Sequence, residues 1–124
     1  MEALRILLVE DEAMLAFFLE DIVTDLGFQV AGSASTAAEA VRLARDGDVD
    51  FGLLDVNLGN GETSFEAAAI LSDRGIPFAF VTGYGAAGVT SDFADAPVLR
   101  KPINIAALAT VLETAIGPAN ARAR

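Results

Sequence analysis

The sequence predicts an α/β domain in which helices cover both faces of a doubly wound, five-stranded parallel sheet. Two observations predict it: five short apolar runs alternate with segments of helical hydrophobic period, and four of the runs end on polar side chains. Leu4 to Val9 is an apolar run interrupted only by Arg5, the pattern of a strand buried on both faces, and it stops at Glu10, Asp11 and Glu12. Leu15, Phe18, Leu19, Ile22 and Leu26 then recur at helical spacing, with Gly27 where a helix would end. Phe28 to Ala31 reads as a second strand. Thr36 is placed to cap a second helix, whose Ala37, Ala40, Val41 and Ala44 form one stripe before Asp46-Gly47. Phe51 to Leu54 runs into Asp55, and after the turn-forming stretch Gly59 to Gly61, Ser64 is placed to cap a helix running to Arg74. Pro77 to Val81 ends on Thr82, and Val98 to Arg100 ends on Lys101. Asn104 caps the last helix, whose buried face is Ile105, Leu108, Leu112 and Ile116 and which Gly117-Pro118 ends.

In sheets of this kind ligands bind beyond the carboxyl ends of the strands. Glu10, Asp11, Asp55, Thr82 and Lys101 should therefore share one rim. No repeat, linker or biased segment interrupts the series, so a single domain is expected over residues 1–118, with no effector domain. Residues 119–124 are expected to be a frayed tail, despite Arg122 and Arg124.

Composition narrows the chemistry. The chain has 124 residues, 53% of them hydrophobic, enough to close one core. Its longest apolar runs are only strand-length and no leader pattern opens it, so a cytoplasmic protein without a membrane span is expected. With no Cys and no His, a Ser/His/Asp triad, a thiol nucleophile and an ordinary zinc site are excluded, and any phosphohistidine must belong to a partner. A net charge of −10 argues against direct nucleic-acid binding.

Carboxylates within about 4 Å of each other repel by roughly 4 kcal/mol per pair at an effective dielectric near 20. Three of them at one rim call for a cation, and oxygen ligands suit Mg²⁺. With that charge neutralised, Asp55 becomes a usable nucleophile toward a phosphoryl group, while Thr82 and Lys101 can hold phosphoryl oxygens. Lys101 is the sole lysine, all other positive side chains being Arg. Singly, each residue has a duller reading: acids favoured by a helix N-terminus, a turn cap, a β-residue, a solvated lysine. Their convergence favours the chemical one.

The string Leu7-Leu8-Val9-Glu10-Asp11, the strand-final Asp55, Thr82 and Lys101-Pro102 together resemble bacterial response-regulator receiver domains of the single-domain, CheY-like kind, over essentially the whole chain. The resemblance implies a flavodoxin-like sheet of order 2-1-3-4-5 and phosphorylation at Asp55. It further implies Mg²⁺ held, directly or through water, by Glu10, Asp11, Asp55 and the backbone carbonyl of Asn57, with Thr82 and Lys101 gripping the phosphoryl group. A sensor histidine kinase is implied upstream and a protein target downstream. The domain would promote its own phosphorylation and dephosphorylation and would not be a conventional enzyme.

A narrower similarity lies in Phe80-Val81-Thr82-Gly83-Tyr84-Gly85 and Pro97-Val98-Leu99-Arg100-Lys101-Pro102, which look like the receiver subgroup nicknamed FAT GUY, with Val81 in place of its Ala. The stretch between Thr82 and Lys101 is short and rich in Gly and Ala, so the helix between strands four and five, the fourth in order, should be short or mobile. Val98 stands where common receivers carry an aromatic switch residue, and Tyr84 is the candidate to replace it. Such receivers imply kinases of the HWE or HisKA2 type.

Other readings compete. Gly83 to Gly88 spells G-x-G-x-x-G, but it follows strand four, and the next strand ends on Arg100-Lys101 where a dinucleotide fold needs an acid. An aspartate-based phosphohydrolase would want an acid at Asn57. A pseudo-receiver that binds without phosphorylation would not need the complete set. A phosphorelay intermediate or phosphate sink, exchanging with a histidine phosphotransfer protein, uses the same residues as a target-binding switch.

Overall fold

All five apolar runs are strands. The computed structural model describes residues 3–83, 89 and 91–118. Strands β1 (Arg5–Val9), β2 (Gln29–Ala34), β3 (Phe51–Asp55), β4 (Phe78–Thr82) and β5 (Val98–Arg100) form one parallel sheet in the order β2-β1-β3-β4-β5. Helices α1 (Ala13–Asp25), α2 (Ala37–Asp46), α3 (Phe65–Asp73) and α4 (Ile105–Ile116) flank it. This is the doubly wound, flavodoxin-like order. No helix among the described residues is long and apolar enough to cross a membrane.

The two-residue period of a strand sorts β1 between two cores. Ile6 and Leu8 face one side, with Leu53, Leu19 and Val23 of α1, and Leu108 and Leu112 of α4. Leu7 and Val9 face the other, with Leu54, Ala40 and Ala44 of α2, and Ala67, Ala68 and Leu71 of α3. Because both faces are covered, the central strands carry no polar alternation. Small residues let α3 approach closely: a methyl group on Gly52 would meet Leu71 Cδ1 at 2.6 Å and Phe78 Cβ at 3.3 Å.

The structure corrects several details of the sequence reading. Strand β2 begins at Gln29 and reaches Ala34, beyond the expected Phe28–Ala31, because pairing with β1 recruits Gly32 and Ser33 against their weak strand preference. Phe18 and Ile105, expected on buried faces, are 47% and 49% exposed. On α1 the buried stripe centres on Leu19, Ile22 and Val23 with Ala16, and Phe18 lies one residue, about 100°, off that centre. Ile105 is only the first residue of α4. Asn104 caps α4 by accepting the Ala107 amide at 3.0 Å, and Thr36 caps α2 through Glu39 N. Ser64 precedes α3 as expected, but its side chain makes no cap bond.

Between β4 and β5 the described residues hold a single 3-10 turn at Ser91–Phe93. The Phe93 ring stacks on Phe65 at 5.8 Å and meets Phe80 edge-on at 5.5 Å, fastening this connection to α3 and β4. Tyr84, Gly85 and Gly88 lie outside the described residues, as do Arg122 and Arg124 of the tail.

Candidate functional site

The carboxyl ends of the strands bring the predicted polar residues together. Glu10 follows β1 and donates its amide to Ala34 O at 2.9 Å, which fixes its backbone against β2. Asp55 and Thr82 are the last residues of β3 and β4, and both are buried. Lys101 follows β5, donates its amide to Thr82 O at 3.0 Å, and precedes Pro102 through a cis peptide bond. Asp11 is exposed at the mouth.

The Lys101 ammonium joins the acids. Its Nζ donates a hydrogen bond to Asp55 Oδ2 at 3.0 Å and faces Glu10 Oε1 at 3.0 Å as an ion pair without hydrogen-bond geometry. The other Glu10 oxygen, Oε2, accepts the Glu12 amide at 3.1 Å. Burial pushes the Glu10 carboxyl up to about 7, against the Glu12 amide and Lys101, which favour its ionised form. Burial also raises Asp55, with Lys101 opposing. For Lys101 itself burial pulls down, but Asp55 and Glu10 outweigh it and hold the amine above its ordinary value.

Oxygens of Glu10, Asp11 and Asp55 all lie within 4.8 Å of one another. With all three carboxylates ionised, the one ammonium leaves two negative charges, which one divalent cation would neutralise. An open, all-oxygen set with one exposed member suits a hard ion that keeps part of its water. These residues fit Mg²⁺. A cavity of about 360 Å³ lined by Glu10, Asp11, Phe17, Ser33 and Ser35 lies beside the cluster. A larger one, about 510 Å³, lies at the opposite end of β4, around Phe78 and Phe93, away from this chemistry. Phe17 belongs to an exposed apolar patch on α1 with Met14 and Phe18.

The β3–α3 connection is more ordered than its sequence suggests. Asn57 bridges antiparallel to Thr63, and Ser64 N donates to Val56 O at 3.2 Å, so residues 56–64 form a small hairpin. Its tip runs through positive φ at Gly59, Asn60 and Gly61, the region where glycine meets no steric cost. The sequence signalled the turn but not the pairing, whose flanks are too short to show a strand period. Nor did it signal Glu62, whose carboxylate reaches Ala37 N, 25 residues away in sequence.

Residues 6–113 match the family model described as response regulator receiver domain. The chain is 32% identical over 120 residues to the phyllosphere-induced regulator PhyR of Methylorubrum extorquens, a match spanning 92% of this chain and 44% of that protein. The chain spans about half the length of the curated relatives it matches. Among solved structures, it is similar to SdrG from Sphingomonas melonis Fr1, with a TM-score of 0.80, 40% identity, and coverage of 92% of this chain and 97% of that one. It is also similar to the receiver domain of Erythrobacter litoralis PhyR, with a TM-score of 0.82, 26% identity, and coverage of 99% and 97%.

Proposed function

The chain belongs to the response regulator receiver domain family, and on that premise we propose that it is a phosphorylation switch whose acceptor is Asp55. One observation carries this reading: Asp55 is buried at a strand end, bonded to the sole lysine, with oxygens of Glu10 and Asp11 within reach of a shared ion. A buried carboxylate paired this way is costly for stability alone and useful for handling a phosphoryl group.

A carboxylate oxygen of Asp55 attacks the phosphorus of a phosphohistidine. The new P–O bond forms as the P–N bond breaks, and the bonding pair stays on the imidazole nitrogen. This chain has no histidine, so the donor is a partner's, a sensor histidine kinase or a histidine phosphotransfer protein. Glu10, Asp11, Asp55 and the Asn57 carbonyl would hold Mg²⁺, which supplies positive charge between the anionic nucleophile and the anionic phosphoryl group. The Thr82 hydroxyl donates to one phosphoryl oxygen and the Lys101 ammonium to another. The exposed Met14, Phe17 and Phe18 beside the acidic mouth favour a protein partner over a small molecule. Residues 1–118 act as the unit, signalling through protein contacts.

The test is intact-protein mass after incubation with acetyl phosphate, with and without Mg²⁺, alongside Asp55→Asn. One added phosphoryl group that requires both Mg²⁺ and Asp55 supports the reading. Phosphate that persists in Asp55→Asn rejects the assignment.

A further inference from the structure

The hairpin that carries Asn57 is anchored at two places. At its base, Ser64 N bonds Val56 O, and Leu58 N bonds Glu62 O at 3.0 Å. At its edge, Glu62 Oε1 accepts the amide of Ala37, the first residue of α2, at 2.9 Å. The helix's own caps leave that amide over: Thr36 Oγ1 takes Glu39 N at 3.2 Å, and Glu39 Oε1 takes Ser35 N at 3.4 Å. A carboxylate there also meets the positive end of the helix dipole. The hairpin's tip, in turn, sits against Asp11 of the carboxylate cluster. A methyl group on Gly59 would lie 3.4 Å from Asp11 Oδ2.

We propose that Glu62 is a positioning residue for the metal site, holding the hairpin to α2 so that the Asn57 backbone and Asp11 keep their spacing. The inference rests on the receiver reading above. Glu62 touches neither ion nor phosphoryl group; it acts through the hairpin. Losing a single charge-assisted hydrogen bond at an exposed helix end should weaken Mg²⁺ binding about threefold to tenfold.

The experiment is Mg²⁺ titration by calorimetry of the full chain and of its Glu62→Ala and Glu62→Gln variants, with melting temperature and acetyl phosphate labelling measured in parallel. Glu62→Ala is expected to need more Mg²⁺ for half-maximal labelling yet to reach the same maximum. Glu62→Gln, which keeps an acceptor oxygen for Ala37 N, should recover most of the affinity. A purely structural role would lower the melting temperature of Glu62→Ala and leave its Mg²⁺ affinity unchanged; that result overturns the proposal, as does a Gln variant no better than Ala. If the unmodified chain neither binds Mg²⁺ nor takes up phosphate, the receiver reading itself fails and this inference falls with it.

Discussion

The ε-ammonium of Lys101 lies 3.0 Å from Asp55 Oδ2, so the proposed acceptor carboxylate is paired with the sole lysine of the chain. The same nitrogen stands 3.0 Å from Glu10. On the proposed phosphorylation reading, Lys101 would have two opposed effects: it would compete with a metal ion for the carboxylates, and it would offer a charge to the incoming phosphoryl group.

Removing that charge should separate the two. A unit charge and a divalent ion about 6 Å apart at an effective dielectric near 20 repel by roughly 5.5 kcal/mol, an upper bound in so open a site. Lys101→Met keeps the apolar stem, so Mg²⁺ affinity is expected to rise about tenfold. Labelling by acetyl phosphate should slow by at least about tenfold. Calorimetry and initial labelling rates measure both, and weaker Mg²⁺ binding would contradict the competition.

The acidic cluster also sets a pH dependence. Burial lifts the Glu10 carboxyl from its ordinary 4.5 to about 7, so between these values the folded chain keeps a proton that the unfolded chain has lost. Stability contributed by that proton is greatest below pH 4.5 and declines as pH rises through 7, where the folded site must ionise too. In EDTA the melting temperature should fall as pH is raised across this window. Added Mg²⁺ favours the ionised carboxylates and should reverse the loss at the alkaline end. Glu10→Gln should flatten the profile, and an equally steep fall in that variant would assign the effect to other groups.

Two hydroxyls at helix starts should behave oppositely. Thr36 accepts a capping hydrogen bond, and Thr36→Ala should destabilise by about 1 kcal/mol. Ser64 is 1% exposed and, among the described residues, its Oγ finds no hydrogen-bond partner. Ser64→Ala removes a buried hydroxyl with no bond to lose, so it should be neutral or stabilising by up to about 1 kcal/mol. Urea unfolding of the two variants checks this, and a Ser64→Ala loss as large as that of Thr36→Ala would show that the hydroxyl is bonded in solution.

Much of this was legible without coordinates. Leu7, Val9 and Leu54 announced buried parallel strands, because a strand covered on both faces has no polar alternation. The alternation of strands with helices then required crossover connections and placed Glu10, Asp55, Thr82 and Lys101 at one rim. Where local signals are weak, the sequence is a poorer guide. The edge strand β2 is only partly buried and contains Gly32, so its hydrophobic pattern stops short of its true end, and the spacing of Phe18 is ambiguous because five apolar residues fit two adjacent stripes of one helix.

By itself, the order of residues determined the fold class, the polar ends of four of the strands and the chemistry available there, since hydrophobic period and side-chain type are local properties. Only the tertiary structure decided that Lys101 bonds Asp55 while facing Glu10, that Glu62 reaches α2, and that Ser64 is buried with no partner for its hydroxyl among the described residues. Lys101 and Asp55 are 46 residues apart, and Glu62 and Ala37 are 25 apart. No local pattern encodes such pairs, because their distances depend on how the whole sheet twists and how the helices pack against it.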